Sequence, residues 1–110
     1  GNVKNKNVII IDDMIDTAST VCKASEIMTK KGAKSVRVIA SHAVLSGNAY
    51  ENINNSSLTE VIVTDSIKLK KQSSKIKIIS IANIFASVIN NVIDHKSISN
   101  IFIASENNQD

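Results

Sequence analysis

Along this chain, uninterrupted apolar runs alternate with stretches of helical spacing. Val8-Ile9-Ile10-Ile11 is a run of four β-branched residues with no polar break, the pattern of a strand covered on both sides. Similar runs over 36–40, 61–64 and 76–81 predict three more strands. Between the first two, residues 19–31 carry helical spacing, with Val21, Ala24, Ser25 and Met28 on one stripe. Lys30 and Lys31 complement the negative end of that helix, and Gly32 ends it. Ser46 is placed to cap a short helix over 47–54. A last helix over 83–94 is expected to bury Phe85, Val88, Ile89 and Val92. The alternation predicts an α/β fold: a parallel, Rossmann-like sheet with helices on both faces, spanning 1–105, and a disordered tail over 106–110.

The chemistry sits where the first strand meets the first helix. Asp12 and Asp13 close the apolar run, and Asp16, Thr17, Ala18, Ser19 and Thr20 follow as an acidic, small and hydroxyl-rich turn. The first N–H groups of a helix have no intrahelical partner, and the helix dipole adds positive potential there. A phosphate satisfies several of those N–H groups at once. The hydroxyls of Thr17, Ser19 and Thr20 can donate to the same oxygens. Asp12 and Asp13 can accept from sugar hydroxyls, directly or through Mg²⁺ and its waters. A ligand with vicinal hydroxyls at one end and a phosphate at the other suits the set: a ribose phosphate. The bland reading stays open on chemistry alone, with Asp12-Asp13 a solvated turn and Ser19 an N-cap.

Composition narrows the classes. The chain has 110 residues, 43% of them hydrophobic, enough for one small core. It begins with Gly rather than Met and reads as a piece of a longer protein. No apolar run reaches membrane-spanning length and no signal peptide is visible, so a cytoplasmic protein without membrane contact is expected. One Cys excludes an internal disulfide, and Cys22 falls in the helical stripe as a small buried residue. The net charge is +3, with Lys68, Lys70, Lys71, Lys75 and Lys77 gathered in one loop and strand start. Aromatic residues make up only 3%, too few to stack bases, so these lysines are read as a solvated loop rather than a nucleic-acid surface. His42 and Asp65, each at a predicted strand end, are read as structural first and as crevice-lining groups second.

Residues 8–20 resemble the phosphoribosyl diphosphate (PRPP) loop of the type I phosphoribosyltransferase fold. The wording Asp12-Asp13-Met14-Ile15-Asp16-Thr17 is closer to the ribose-phosphate pyrophosphokinases, or PRPP synthetases. Cys22-Lys23-Ala24, Lys31-Gly32-Ala33-Lys34, the segment Ser41 to Ala49, Glu60 to Ile67 and Ser97 to Phe102 resemble that family in the same order, over roughly residues 6–103. The resemblance implies a phosphoribosyltransferase-like domain from the C-terminal portion of such an enzyme. The family transfers diphosphate from Mg-ATP to ribose 5-phosphate, giving PRPP and AMP, and forms cytoplasmic homohexamers under phosphate and ADP control.

By that resemblance Asp12, Asp13, Asp16, Thr17, Ala18, Ser19 and Thr20 bind ribose 5-phosphate. Mg²⁺ is the cofactor, with Asp12 and Asp13 as candidates to hold it through water, and Ser97 and Ser99 are candidate regulatory positions. No catalytic residue is assigned, because the family's ATP site and basic loop lie elsewhere in the chain. The isolated piece is therefore expected to bind and not to turn over. Two alternatives remain: a phosphoribosyltransferase that consumes PRPP, and a non-catalytic regulatory paralogue. The latter is kept open by Ser19, which stands where the family usually has Gly. Glycine there permits positive φ and close approach of backbone to phosphate. Ala18 raises no such difficulty at a position that needs only a small residue.

Overall fold

A computed structural model describes residues 1–95. Residues 1–79 and the residues from Ser80 onward form two compact units. In the first unit β1 (Asn7–Ile15), α1 (Ser19–Lys30), β2 (Ser35–Ala43), α2 (Ala49–Asn54), β3 (Glu60–Thr64) and β4 (Ile76–Ile79) follow in order. The strands form one parallel sheet in the order β1-β2-β3-β4.

Alternation along the strands sets the core. Val36, Val38 and Ala40 on β2 and Val61 and Val63 on β3 point to one side and are buried. They pack with Val21 and Cys22 of α1 and with Ala49, Tyr50 and Ile53 of α2. The opposite side carries a cross-strand row of Ile11, Ile39 and Ile62 that ends on Lys77. On that side Ile9, Ile11 and Ile79 are exposed. The expected helices therefore cover one face within residues 1–79. Right-handed crossovers that all step the same way across a sheet deliver every helix to the same side.

Several boundaries differ from the sequence reading. The first strand runs four residues beyond Ile11, because the backbone of Asp12 to Ile15 continues to pair with β2 as far as Ala43. The two carboxylates thus lie on the strand, not after it. Ser46 does not cap α2; Asn48 holds that position without a side-chain bond. On α1, Cys22 joins Val21 and Ser25 among the buried residues, and the Ser25 hydroxyl donates to the Cys22 carbonyl at 2.7 Å. Burial raises the Cys22 thiol above its ordinary range, against a smaller opposing pull from its hydrogen bond with Ser56, so a core role stands.

The Lys-rich loop is pinned as well as solvated. The Tyr50 hydroxyl accepts from the N–H groups of Lys70 and Lys71, and Lys75 Nζ donates to the Ser56 carbonyl at 2.7 Å.

In the second unit, α3 (Ala82–Ile93) forms where the spacing predicts it, one residue early at each end. None of its residues is buried, in contrast to the burial expected of Phe85, Val88, Ile89 and Val92. Ser97, Ser99 and the tail from Glu106 lie outside the described residues.

Candidate functional site

A cavity of about 140 Å³ opens at the C-terminal end of β1. Asp12, Asp16, Thr17, Ala18, Ser19 and Thr20 line it, with Met14, Ile15 and Val21 as its apolar wall. Six of the seven expected site residues are therefore gathered in one place. The seventh, Asp13, does not line the cavity. Successive residues on a strand project to opposite faces, and Asp12 and Asp13 are both strand residues. Each carboxylate has one oxygen engaged by the next N–H: Asp13 N–H donates to Asp12 at 2.8 Å, and Met14 N–H to Asp13 at 2.8 Å.

The loop between strand and helix is only Asp16-Thr17-Ala18. The N-cap residue Ala18 makes no side-chain cap bond, the Ser19 N–H makes one long bond to Thr17 Oγ1 at 3.5 Å, and the positive end of the helix dipole lies behind the leading N–H groups. Thr17 and Ser19 hydroxyls lie 3.1 Å apart and form a short polar rim.

The special backbone conformation falls on Ala18, with φ of 67°, and not on Ser19, which starts the helix. This reverses the expectation about the two positions. A left-handed alanine costs roughly 1–2 kcal/mol, whereas Ser19 needs no glycine. Ser19→Gly should therefore lower stability by about 0.5 kcal/mol through weaker helix propensity. Ala18→Gly should be near neutral, since relief of strain is offset by the loss of a buried methyl worth about 0.8 kcal/mol and by the greater freedom of glycine in the unfolded chain, about 0.4–1 kcal/mol. Urea unfolding of both variants checks the order; a clear gain for Ser19→Gly would contradict it.

His42, at the end of the neighbouring strand, is tied to Ser66. Its Nδ1 lies 2.9 Å from the Ser66 hydroxyl. That hydroxyl gives its one proton to the Ser41 carbonyl at 3.0 Å, which leaves His42 Nδ1–H as the donor. This fits the structural role expected for His42. Asp65 directly follows β3, its N–H donating to the Ile79 carbonyl at 3.2 Å. Sequence reasoning missed Ser46 and Asn52. The Ser46 hydroxyl donates to the Asp16 carboxylate, and Asn52 Nδ2 to the Thr17 carbonyl at 2.9 Å. Their partners lie 30 and 35 residues away, beyond any local pattern.

The family model described as the phosphoribosyl synthetase-associated domain matches residues 1–103. The chain belongs to that family. The ribose-phosphate pyrophosphokinase of Wolinella succinogenes is 48% identical over 103 residues, 94% of this chain and 33% of that protein. That of Campylobacter jejuni is 50% identical over 103 residues, again 94% of this chain and 33% of the relative. The crystal structure of phosphoribosylpyrophosphate synthetase from Mycobacterium smegmatis superposes with a TM-score of 0.82 at 35% identity, covering 86% of this chain and 33% of that one. This phosphoribosyl synthetase-associated domain thus spans about a third of the length of these relatives.

Among the described residues no group of three or more His, Cys, Asp or Glu side chains is placed to hold a metal ion. A direct protein cage for Mg²⁺ is therefore missing from them. Mg²⁺ commonly keeps most of its waters and uses one or two carboxylates with substrate phosphates, which the exposed Asp12 and Asp13 fit. No helix among the described residues is long and apolar enough to cross a membrane.

Proposed function

We propose that this domain is the ribose 5-phosphate-binding part of a ribose-phosphate diphosphokinase. In the whole enzyme diphosphate passes from Mg-ATP to the anomeric hydroxyl of ribose 5-phosphate, giving PRPP and AMP. The observation that carries the reading is the cavity itself, with a carboxylate, Asp12, at the strand and the loop end and helix start over residues 17–20. Two chemically opposite ends suit the two ends of a sugar phosphate.

The N–H groups and hydroxyls of Thr17 to Thr20 take the 5-phosphate. Asp12 accepts from ribose hydroxyls, which fixes the ring and holds the nucleophilic hydroxyl in line with the phosphorus it attacks. Asp13, directed to the other face, plays the lesser part. When bound, Mg²⁺ would neutralise charge on the diphosphate, and Asp12, the carboxylate that lines the cavity, would hold it through its waters, with Asp13 the lesser candidate. In keeping with the family resemblance, the longer protein is read as a cytoplasmic homohexamer.

Titration of the 110-residue chain with ribose 5-phosphate, followed by NMR, tests this. The amides of residues 17–20 should shift first. Asp12→Asn should weaken ribose 5-phosphate by about tenfold, the order of one hydrogen bond to a charged group, and leave inorganic phosphate nearly unchanged. Asp13→Asn should do less. Equal loss of both ligands in Asp12→Asn, or shifts confined to distant amides, would defeat the assignment.

A further inference from the structure

We propose that Ser46 and Asn52 are positioning residues, which hold the loop Asp16-Thr17-Ala18 in the shape that presents its N–H groups to phosphate. The inference rests on the ribose-phosphate reading of the cavity and adds the machinery that sets it.

After β2 the chain turns back across the end of β1. Leu45 N–H donates to the Ile15 carbonyl at 3.0 Å, and Ser46 N–H to the Asp16 carbonyl at 3.1 Å. Asn52 Nδ2 takes the Thr17 carbonyl at 2.9 Å. Three successive carbonyls are thus claimed by one segment, residues 45–52. A peptide unit is planar and trans, so its C=O and the following N–H point in opposite directions. Holding the Asp16 carbonyl aims the Thr17 N–H away from that segment. Holding the Thr17 carbonyl does the same for the Ala18 N–H. Carbonyl oxygens that would repel an anion are turned aside by the same bonds that turn the donors outward.

Asp16 poses a second problem, because its carboxylate lies within a loop meant for a dianion. The Ser46 hydroxyl donates to that carboxylate and holds it on the side of the 45–52 segment. The segment is itself anchored. Leu45 is buried and held at φ of 50°, an expensive conformation that only surrounding structure sustains. Asn52 projects from α2, whose Ala49, Tyr50 and Ile53 are buried. Loop geometry is thereby tied to the core through α2, the arrangement that a preorganised site needs.

The test uses the 110-residue chain and the variants Asn52→Leu and Ser46→Ala, with Asn52→Gln and Ser46→Thr retaining the donors. Two readouts are taken: NMR affinity for ribose 5-phosphate and for inorganic phosphate, and ligand-free ¹⁵N order parameters of residues 16–18. Asn52→Leu and Ser46→Ala should each weaken both ligands by about fivefold to tenfold, since the loop serves the phosphate they share. Order parameters at 16–18 should fall while those of the sheet stay put. Ser46→Thr should retain affinity, and Asn52→Gln should recover part of it. Unchanged affinity together with unchanged order parameters would overturn the proposal. So would a loss of stability with affinity and loop order intact, the mark of a merely structural role. If the parent chain binds neither ligand, the reading of the cavity fails, and the order parameters alone decide whether the two side chains position the loop.

Discussion

Residues 1–110 alone, supplied with Mg-ATP and ribose 5-phosphate, should form no PRPP above the protein-free rate. The reason lies in what lines the cavity. Among the described residues Asp12 and Asp16 are its only charged lining residues, and both are acidic. Diphosphate transfer spreads negative charge over the migrating oxygens, and catalysis there depends on cations and donors aimed at that charge. Each such donor is worth about 10²–10³ in rate, so a site with none falls below detection. Size points the same way. About 140 Å³ is small beside the roughly 300–1,000 Å³ of sites that enclose a ligand. On the proposed reading the remaining walls come from outside the described residues, and the chain spans only a third of the relatives' length.

Joining the chain to the complementary part of the Campylobacter jejuni relative, 50% identical in the shared region, should therefore restore turnover. Chromatographic detection of AMP and PRPP checks both arms. Robust PRPP formation by residues 1–110 alone would overturn the division of the site between this domain and the rest. In the joined protein Asp12→Asn should depress turnover more than Asp13→Asn does.

Most of the sheet was legible because its strands are apolar runs bounded by polar turns. The end of β1 was not. Asp12 and Asp13 break the apolar pattern, yet strand pairing is made by backbone groups and continues regardless of side chain. The proposed phosphate loop was legible as a composition of small and hydroxyl residues, whereas its geometry was not. Alanine carries no mark of positive φ, so Ala18 read as merely small while Ser19 drew the attention that a missing glycine attracts. Ser46 read as a helix cap because its neighbours are helical. In three dimensions it meets Asp16, a partner that no window of sequence contains. The apolar face at Ile9, Ile11 and Ile79 shows the converse limit. A continuous run signals a strand with two apolar faces, and it does not tell which element covers each.

Ile53→Ala should be the most damaging single truncation for stability. Ile53 is wholly buried on α2, a helix of six residues. So short a helix has no stability of its own in water and exists only through its packing. Truncating a buried Ile to Ala removes transfer free energy and leaves a cavity, about 2–5 kcal/mol in all. Domains of this size hold roughly 5–15 kcal/mol, so a large share of the total is at stake. Urea unfolding monitored by circular dichroism should show a lower midpoint with an unchanged slope. Ile53→Val, which leaves most of the side chain, should cost about 0.5–1.5 kcal/mol. Ile11→Thr, at an exposed strand position, should stay within about 0.5 kcal/mol. The effect should also reach the cavity, because α2 carries Asn52 and Asn52 holds the Thr17 carbonyl. Phosphate affinity of the folded Ile53→Ala chain should fall alongside its stability. A cost under about 1 kcal/mol would mean that α2 is not the lid on this core. Affinity preserved despite a large loss of stability would cut the link from core to loop.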